Sequence, residues 1–281
     1  MNSAAFHMAS LPPFHVEHLL QQGSGRFNED RVLVTPNLFG VFDGASSLVS
    51  RYYDDKSGAW WAAELACQEF AGGQDEDLLG LAKLANERIG EAMERHAVDP
   101  ADKLQCWSTS AAVFRLRAGL LEWVQTGDCL ILAIDDHGRH ELLTPYHNHD
   151  AETFAHWWLQ PDESLEQALE RLRPVIERVR LGMNRHYGVL SGAPEAEAFL
   201  HHGRTPLQGL RHVLAFSDGF FPPESRGGEL DFSRLVALYL DHGLEAVAQW
   251  VRLLEGRDPQ CRLYPRFKCH DDMSAVAVTF C

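Results

Sequence analysis

Leu38-Phe39-Gly40-Val41-Phe42-Asp43-Gly44-Ala45-Ser46 is an apolar run that ends abruptly in an aspartate, a glycine and small residues. Val41 and Phe42 fit a buried strand, and a carboxylate placed directly after such a strand is held at its end by packed backbone. Two other segments share this form. Val213-Leu214-Ala215-Phe216-Ser217-Asp218-Gly219 repeats the strand followed by Asp-Gly, and His270-Asp271-Asp272-Met273 inverts it, with carboxylates just before a strand from Ser274 to Phe280. Three acids at the ends of three apolar strands would repel one another if gathered without a cation. The pattern therefore points to a shared cation site at Asp43, Asp218 and Asp271.

Working outward, Asn28-Glu29-Asp30-Arg31 precedes the apolar Val32-Leu33-Val34, and Pro36-Asn37 turns the chain back into the strand that ends at Asp43. Arg31 to Asp43 thus reads as a hairpin, whose antiparallel pairing brings Asp30 and Asp43 together. A first strand is expected from Phe14 to Leu20. Gly58 to Phe70 and Leu78 to His96 carry apolar residues at three- and four-residue spacing and read as two amphipathic helices. Ser108 to Arg117, Leu120 to Gln125, Leu130 to Ile134 and His140 to Leu143 are short strands with turn signals between them, which indicates an antiparallel meander.

Helices are expected at Ala151 to Leu159 and Ser164 to Gly182, a short strand at Tyr187 to Leu190, a loop region from there to Leu210, and a core strand at His212 to Phe216. A second helical pair spans Leu230 to Leu240 and Leu244 to Leu254. Strands grouped with strands, and helices arriving in pairs, define an α+β fold: a β-sandwich of two antiparallel sheets flanked by helix pairs, in four layers.

The length of 281 residues suits one large domain, placed at 14–281, after a tail at 1–13 to which no function is assigned. No apolar stretch is long enough to span a membrane and the N-terminus has no signal-peptide pattern, so a soluble, cytoplasmic protein with no membrane partner is expected. Six cysteines without a CxxC pair argue against structural zinc and a disulfide framework. A net charge of −15 disfavours nucleic acid.

Asn28-Glu29-Asp30, Val41-Phe42-Asp43-Gly44, Thr126-Gly127-Asp128, Phe216-Ser217-Asp218-Gly219 and Asp271-Asp272-Met273-Ser274 occur in the order and approximate spacing of the motifs of the metal-dependent type-2C (PPM) serine/threonine protein phosphatases. The chain resembles that family, in its bacterial form, over nearly its whole length. The resemblance implies two or three Mg²⁺ or Mn²⁺ ions. Asp43 would bridge the two main ions, the Gly44 carbonyl would join the second, Asp218 and Asp271 would complete the first, Asp30 would act on the second largely through water, and Asp128 with Asp218 would resemble a third site. It also implies a phosphorylated protein as substrate, with a monomer as the expected state.

Carboxylate, carbonyl and water ligands suit Mg²⁺ or Mn²⁺ better than zinc. Such a pair would aim a shared water in line at the phosphorus of phosphoserine or phosphothreonine, with no protein nucleophile. Two departures from the family stand out. Ala45 occupies the position after Asp-Gly where eukaryotic members often carry a histidine as general acid. Arg26, the one candidate for the phosphate-binding arginine, stands one residue closer to Asn-Glu-Asp than the family pattern. Those departures keep open a weakly active or inactive relative that binds phosphorylated partners, and a small-metabolite phosphatase is a further alternative.

Cys129 and Cys269 read as small residues filling space, Asp272 as a turn or cap residue, and His147 and His149 as loop residues. Trp60-Trp61 and Trp157-Trp158 read as core or interface groups.

Overall fold

The computed structural model describes residues 12–45, 47–49, 51–73, 76–160, 162–224 and 230–281; most of the tail at 1–13 and Ser46 of the opening motif lie outside them. The chain forms β1 (Phe14–Gln21), β2 (Asp30–Val34), β3 (Leu38–Gly44), β4 (Tyr52–Tyr53), β5 (Lys56–Ser57), α1 (Gly58–Gly72), α2 (Leu78–Arg95) and β6 (Thr109–Arg117). It continues through β7 (Leu120–Thr126), β8 (Leu130–Asp135), β9 (His140–Leu142), α3 (Ala151–Ala155), α4 (Leu165–Leu181), β10 (His201–Pro206), β11 (Leu210–Phe216), α5 (Ser233–Gly256) and β12 (Met273–Phe280).

Strand alternation sorts the apolar residues into layers. Along β3, Leu38 and Phe42 pack under α1 and α2, whereas Phe39 and Val41 face the other sheet. Along β11 and β12, Leu214, Phe216, Ala275 and Ala277 pack under α5, whereas Val213, Ala215, Val276 and Val278 meet Phe39 and Val41 between the sheets. Both main sheets are antiparallel, with strand orders β1-β12-β11-β8-β9 and β10-β7-β6-β3-β2. The result is the expected four-layer sandwich. Both long helices under β3 begin at side-chain caps, Ser57 accepting from Trp60 N–H and Asp77 from Gly80 N–H.

The helical pair expected near the C-terminus is present as the two halves of α5, which meet at Gly243, whose φ of 78° and ψ of −175° are non-helical and suit glycine. Three expectations need correction. The meander does not stay in one sheet: β6 and β7 pair in one, β8 and β9 in the other, and the Thr126-Gly127-Asp128 turn crosses between them. Part of the expected loop before Leu210 is β10, an edge strand on β7 whose polar, mostly exposed side chains carry no apolar alternation. Tyr187 to Leu190 makes only single bridges, to Met183 and Thr109. Of the paired tryptophans, Trp157 is buried and Trp158 is 65% exposed.

Candidate active site

The alternation that builds the core also aims the acids. Residues 39, 41 and 43 lie on one face of β3, so Asp43 continues the inter-sheet face past the last apolar layer. In the register of β2 and β3, Asp30 pairs directly with Asp43, and across β3 and β6 Asp43 pairs with Ser110. The hairpin read in the sequence thus places its two acids side by side.

The second sheet closes on them from the other side. Ser217, after β11, and Ser274, in β12, each donate a hydroxyl hydrogen bond of 2.7 Å to Asp30 Oδ2. Those two serines are themselves tied, Ser217 N–H to Ser274 O at 3.0 Å and Ser274 N–H to Ser217 Oγ at 3.0 Å. Asp30 is only 1% exposed. Burial pushes its carboxyl up to about 7; the serine hydrogen bonds pull the other way, and the charges of Asp272 and Asp271 add to the rise.

Asp218 follows Ser217 and reaches Asp43, the two carboxyl groups meeting in hydrogen-bonding contact. Burial, then the neighbouring Asp30 and Asp218, pushes Asp43 well above the usual carboxylate range. Asp218 is open to a cavity but enclosed by protein beyond it, and burial followed by Asp128 and Asp271 shifts it the same way. Glycine is required beside this acid: a Cβ on Gly219 would overlap the Asp272 carbonyl.

Asp128 arrives on the turn that crosses between sheets and accepts from Ser110 Oγ at 2.7 Å. Ligand atoms of Asp43, Asp128 and Cys129 lie within 4.8 Å of one another. The Cys129 thiol is fully buried, and burial followed by Asp43 holds it well above the usual thiol value, so it stays protonated and packs as a small residue.

Asp271 stands across the cavity. Its Oδ1 accepts from Lys268 Nζ at 2.8 Å and from Asp272 N–H at 2.9 Å. Burial alone would push the Lys268 ammonium down, but Asp271, then Glu29 and Asp43, hold it above the ordinary lysine value. Asp43, Gly44, Asp128, Asp218 and Asp271 line a cavity of ≈ 860 Å³.

Asp30, Asp43, Asp128, Asp218 and Asp271 therefore converge. Asp272 serves the backbone instead: its carboxylate accepts from Gly23 N–H at 2.8 Å and Glu29 N–H at 2.7 Å, which clamps the segment before β2. Ala45 donates its N–H to Ser108 O at 3.0 Å and brings no proton donor to the site. Arg26 is exposed, its guanidinium 5.0 Å from the Phe27 ring centroid and 4.8 Å from that of Tyr52. The sequence reading missed Ser217, Ser274, Ser110 and Lys268. The first two were visible beside motif aspartates, whereas nothing in the spacing marked the others. His149 is in a loop, as expected, but that loop forms part of the cavity wall: its ring stacks on Tyr187 and its Nδ1 lies 3.7 Å from Asp128 Oδ2.

The two sheets and their flanking helices match solved structures across nearly the whole chain. The fold is that of the bacterial serine/threonine phosphatases. The Mycobacterium tuberculosis phosphatase PstP is 18% identical, with 95% of this chain and 98% of that chain covered and a TM-score of 0.59. The catalytic domain of PstP in complex with two manganese ions gives 18% identity, coverage of 95% and 97%, and a TM-score of 0.57. The phosphatase Stp1 from Staphylococcus aureus gives 12% identity, coverage of 100% and 99%, and a TM-score of 0.60. No protein-family model matches the sequence, and no curated protein matches it. A serine/threonine-phosphatase fold at such low identity leaves the chemistry to be argued from the acids themselves. Among the described residues no helix is long and apolar enough to cross a membrane.

Proposed function

We propose that this chain is a metal-dependent phosphomonoesterase that removes phosphate from phosphoserine or phosphothreonine in proteins. The observation that carries the proposal is the contact between the Asp43 and Asp218 carboxyls at the wall of an open cavity, with Asp30, Asp128 and Asp271 around them. Acids held this close without a counter-charge are mutually repulsive, and all-oxygen donors suit Mg²⁺ or Mn²⁺. The donor set fits such ions: Asp43, Asp218 and Asp271 with the Gly44 carbonyl would hold them directly, Asp30 through water, and Asp128 with Asp218 at a further position. When bound, the ions supply a water of lowered pKa and neutralise phosphoryl oxygens.

The chain's own residues do the positioning. Ser217 and Ser274 fix Asp30, Ser110 fixes Asp128, and the Asp272 N–H and Lys268 fix Asp271, so the carboxylates are aimed before any ligand enters. With Ala45 beside the centre, protonation of the leaving serine or threonine oxygen falls to water or to another group of the site. The six cysteines are all free thiols, which suits a reducing cytoplasm, and residues 14–281 act as one phosphatase domain.

The test is hydrolysis of p-nitrophenyl phosphate and of a phosphothreonine peptide by the purified protein with Mn²⁺, beside Asp43→Asn. Turnover of both substrates that the variant loses supports the assignment. No turnover by the parent, or equal turnover by the variant, ends it, and turnover of small phosphoesters alone redirects it to metabolites.

A further inference from the structure

Binding of a phosphoryl dianion needs positive charge beyond that which the acids consume, and Arg26 is an unsuitable source. Its guanidinium stacks on Phe27 and Tyr52 on an exposed stretch, and it is not in the wall of the cavity that holds the acids. The cations in that wall are Arg173, Arg180 and Lys268. Arg180 donates to the main-chain carbonyls of Lys103 and Cys106, both at 3.3 Å. Arg173 pairs with Glu177 one turn along α4 at 2.9 Å, its side chain 57% exposed. Neither is aimed at the acids.

Lys268 is. Its Nζ lies 2.8 Å from Asp271 Oδ1, on the oxygen that also takes the Asp272 N–H, and among the described residues it has no second hydrogen-bond acceptor. An ammonium has three donors. One holds Asp271, and the other two are left in the cavity wall with Asp43, Asp128 and Asp218. The side chain is 29% exposed, so it borders open space while its stem is packed. A compact ammonium of this kind binds phosphate oxygens as a point charge.

We propose that Lys268 is the phosphoryl-binding side chain of this site, holding Asp271 through one N–H and presenting the other two to the oxygens of a phosphomonoester or of product phosphate. The identity of the ligand rests on the phosphatase assignment; the direct contact with Asp271 does not. The ammonium attracts a phosphate dianion and repels a metal cation, so a neutral residue at 268 should weaken phosphate binding while leaving Mn²⁺ affinity equal or tighter.

The experiment uses the full chain loaded with Mn²⁺ and titrates it calorimetrically with inorganic phosphate, for the parent, Lys268→Met, Lys268→Gln and Lys268→Arg. Mn²⁺ affinity is measured separately, and circular dichroism checks each fold. Loss of a charge-assisted hydrogen bond should weaken phosphate binding by roughly tenfold or more in the methionine and glutamine variants. The arginine variant should recover most of it, with Mn²⁺ affinity equal to or tighter than the parent's. The KM for p-nitrophenyl phosphate should rise by a similar factor. Phosphate affinity unchanged in both neutral variants overturns the proposal, as does a drop in Mn²⁺ affinity as large as the drop for phosphate, which would make Lys268 only a prop for Asp271. Phosphate binding that depends on Lys268, in a protein that turns over no phosphoester, supports the lysine's role while overturning the phosphatase assignment.

Discussion

Asp43, at the end of β3, and Asp218, just past the end of β11 in the opposite sheet, bring their carboxyl groups into hydrogen-bonding contact. Two acids can make that contact only with a proton between them. The metal-free site therefore holds protons where the metal-loaded site would hold cations. Every prediction about pH, metal and mutation at this centre follows from that exchange.

Asp43→Asn replaces the borrowed proton with a permanent N–H donor to Asp218. Metal-free Asp43→Asn should be more stable than the parent by about 1 kcal/mol, a Tm gain of roughly 2–4 °C for a chain of this size. Thermal melts in chelator should show the gain, whereas melts with Mn²⁺ should favour the parent. A variant that is less stable in chelator would mean that the acids do not repel one another.

The pH dependence of the metal-free fold has a definite sign. Asp30 is held at about 7 against its ordinary 3.8, so between those values the folded state binds more protons than the unfolded chain. Stability therefore falls as pH rises from about 4 towards 7, and the loss is complete above 7. The upward shifts of Asp43 and Asp218 add in the same direction. Urea unfolding at stepped pH in chelator measures the slope, and saturating Mn²⁺ should flatten or reverse it.

Ser217 and Ser274 hold Asp30 from the far sheet. Ser274→Ala removes one of the two hydroxyl donors and should cost about 1–2 kcal/mol of stability by urea unfolding. The double alanine variant should lose less than the sum, because both hydroxyls serve one carboxylate oxygen.

Asp272 separates architecture from chemistry. Its two backbone acceptances tie β12 to the segment leading into β2, so Asp272→Ala should cost on the order of 2–3 kcal/mol. Hydrogen exchange should show the Gly23 and Glu29 amides losing protection first.

Much of this arrangement was legible in the residues. The apolar runs before Asp43 and Asp218 and after Asp271 announced strands with acids at their ends, and the hairpin turn at Pro36-Asn37 paired Asp30 with Asp43, so a shared cation site could be read from local pattern. What was not legible depends on pairing between distant strands. Nothing in Leu120 to Leu143 says that the chain changes sheets at Gly127-Asp128, and the exposed edge strand His201–Pro206 has no apolar signal at all. Lys268 sits in a segment without regular structure, and its meeting with Asp271 depends on the turn between them, not on any period.

The most direct measurement is calorimetric titration of the chain with Mn²⁺ near pH 6.5 in two buffers of different ionisation enthalpy, beside Asp43→Asn. The expected result is binding to the parent with protons released into the buffer, reported by different apparent heats, and affinity at least about tenfold weaker in the variant. Absence of Mn²⁺ binding, or binding of equal strength and equal proton release in Asp43→Asn, would contradict a cation site built on these acids.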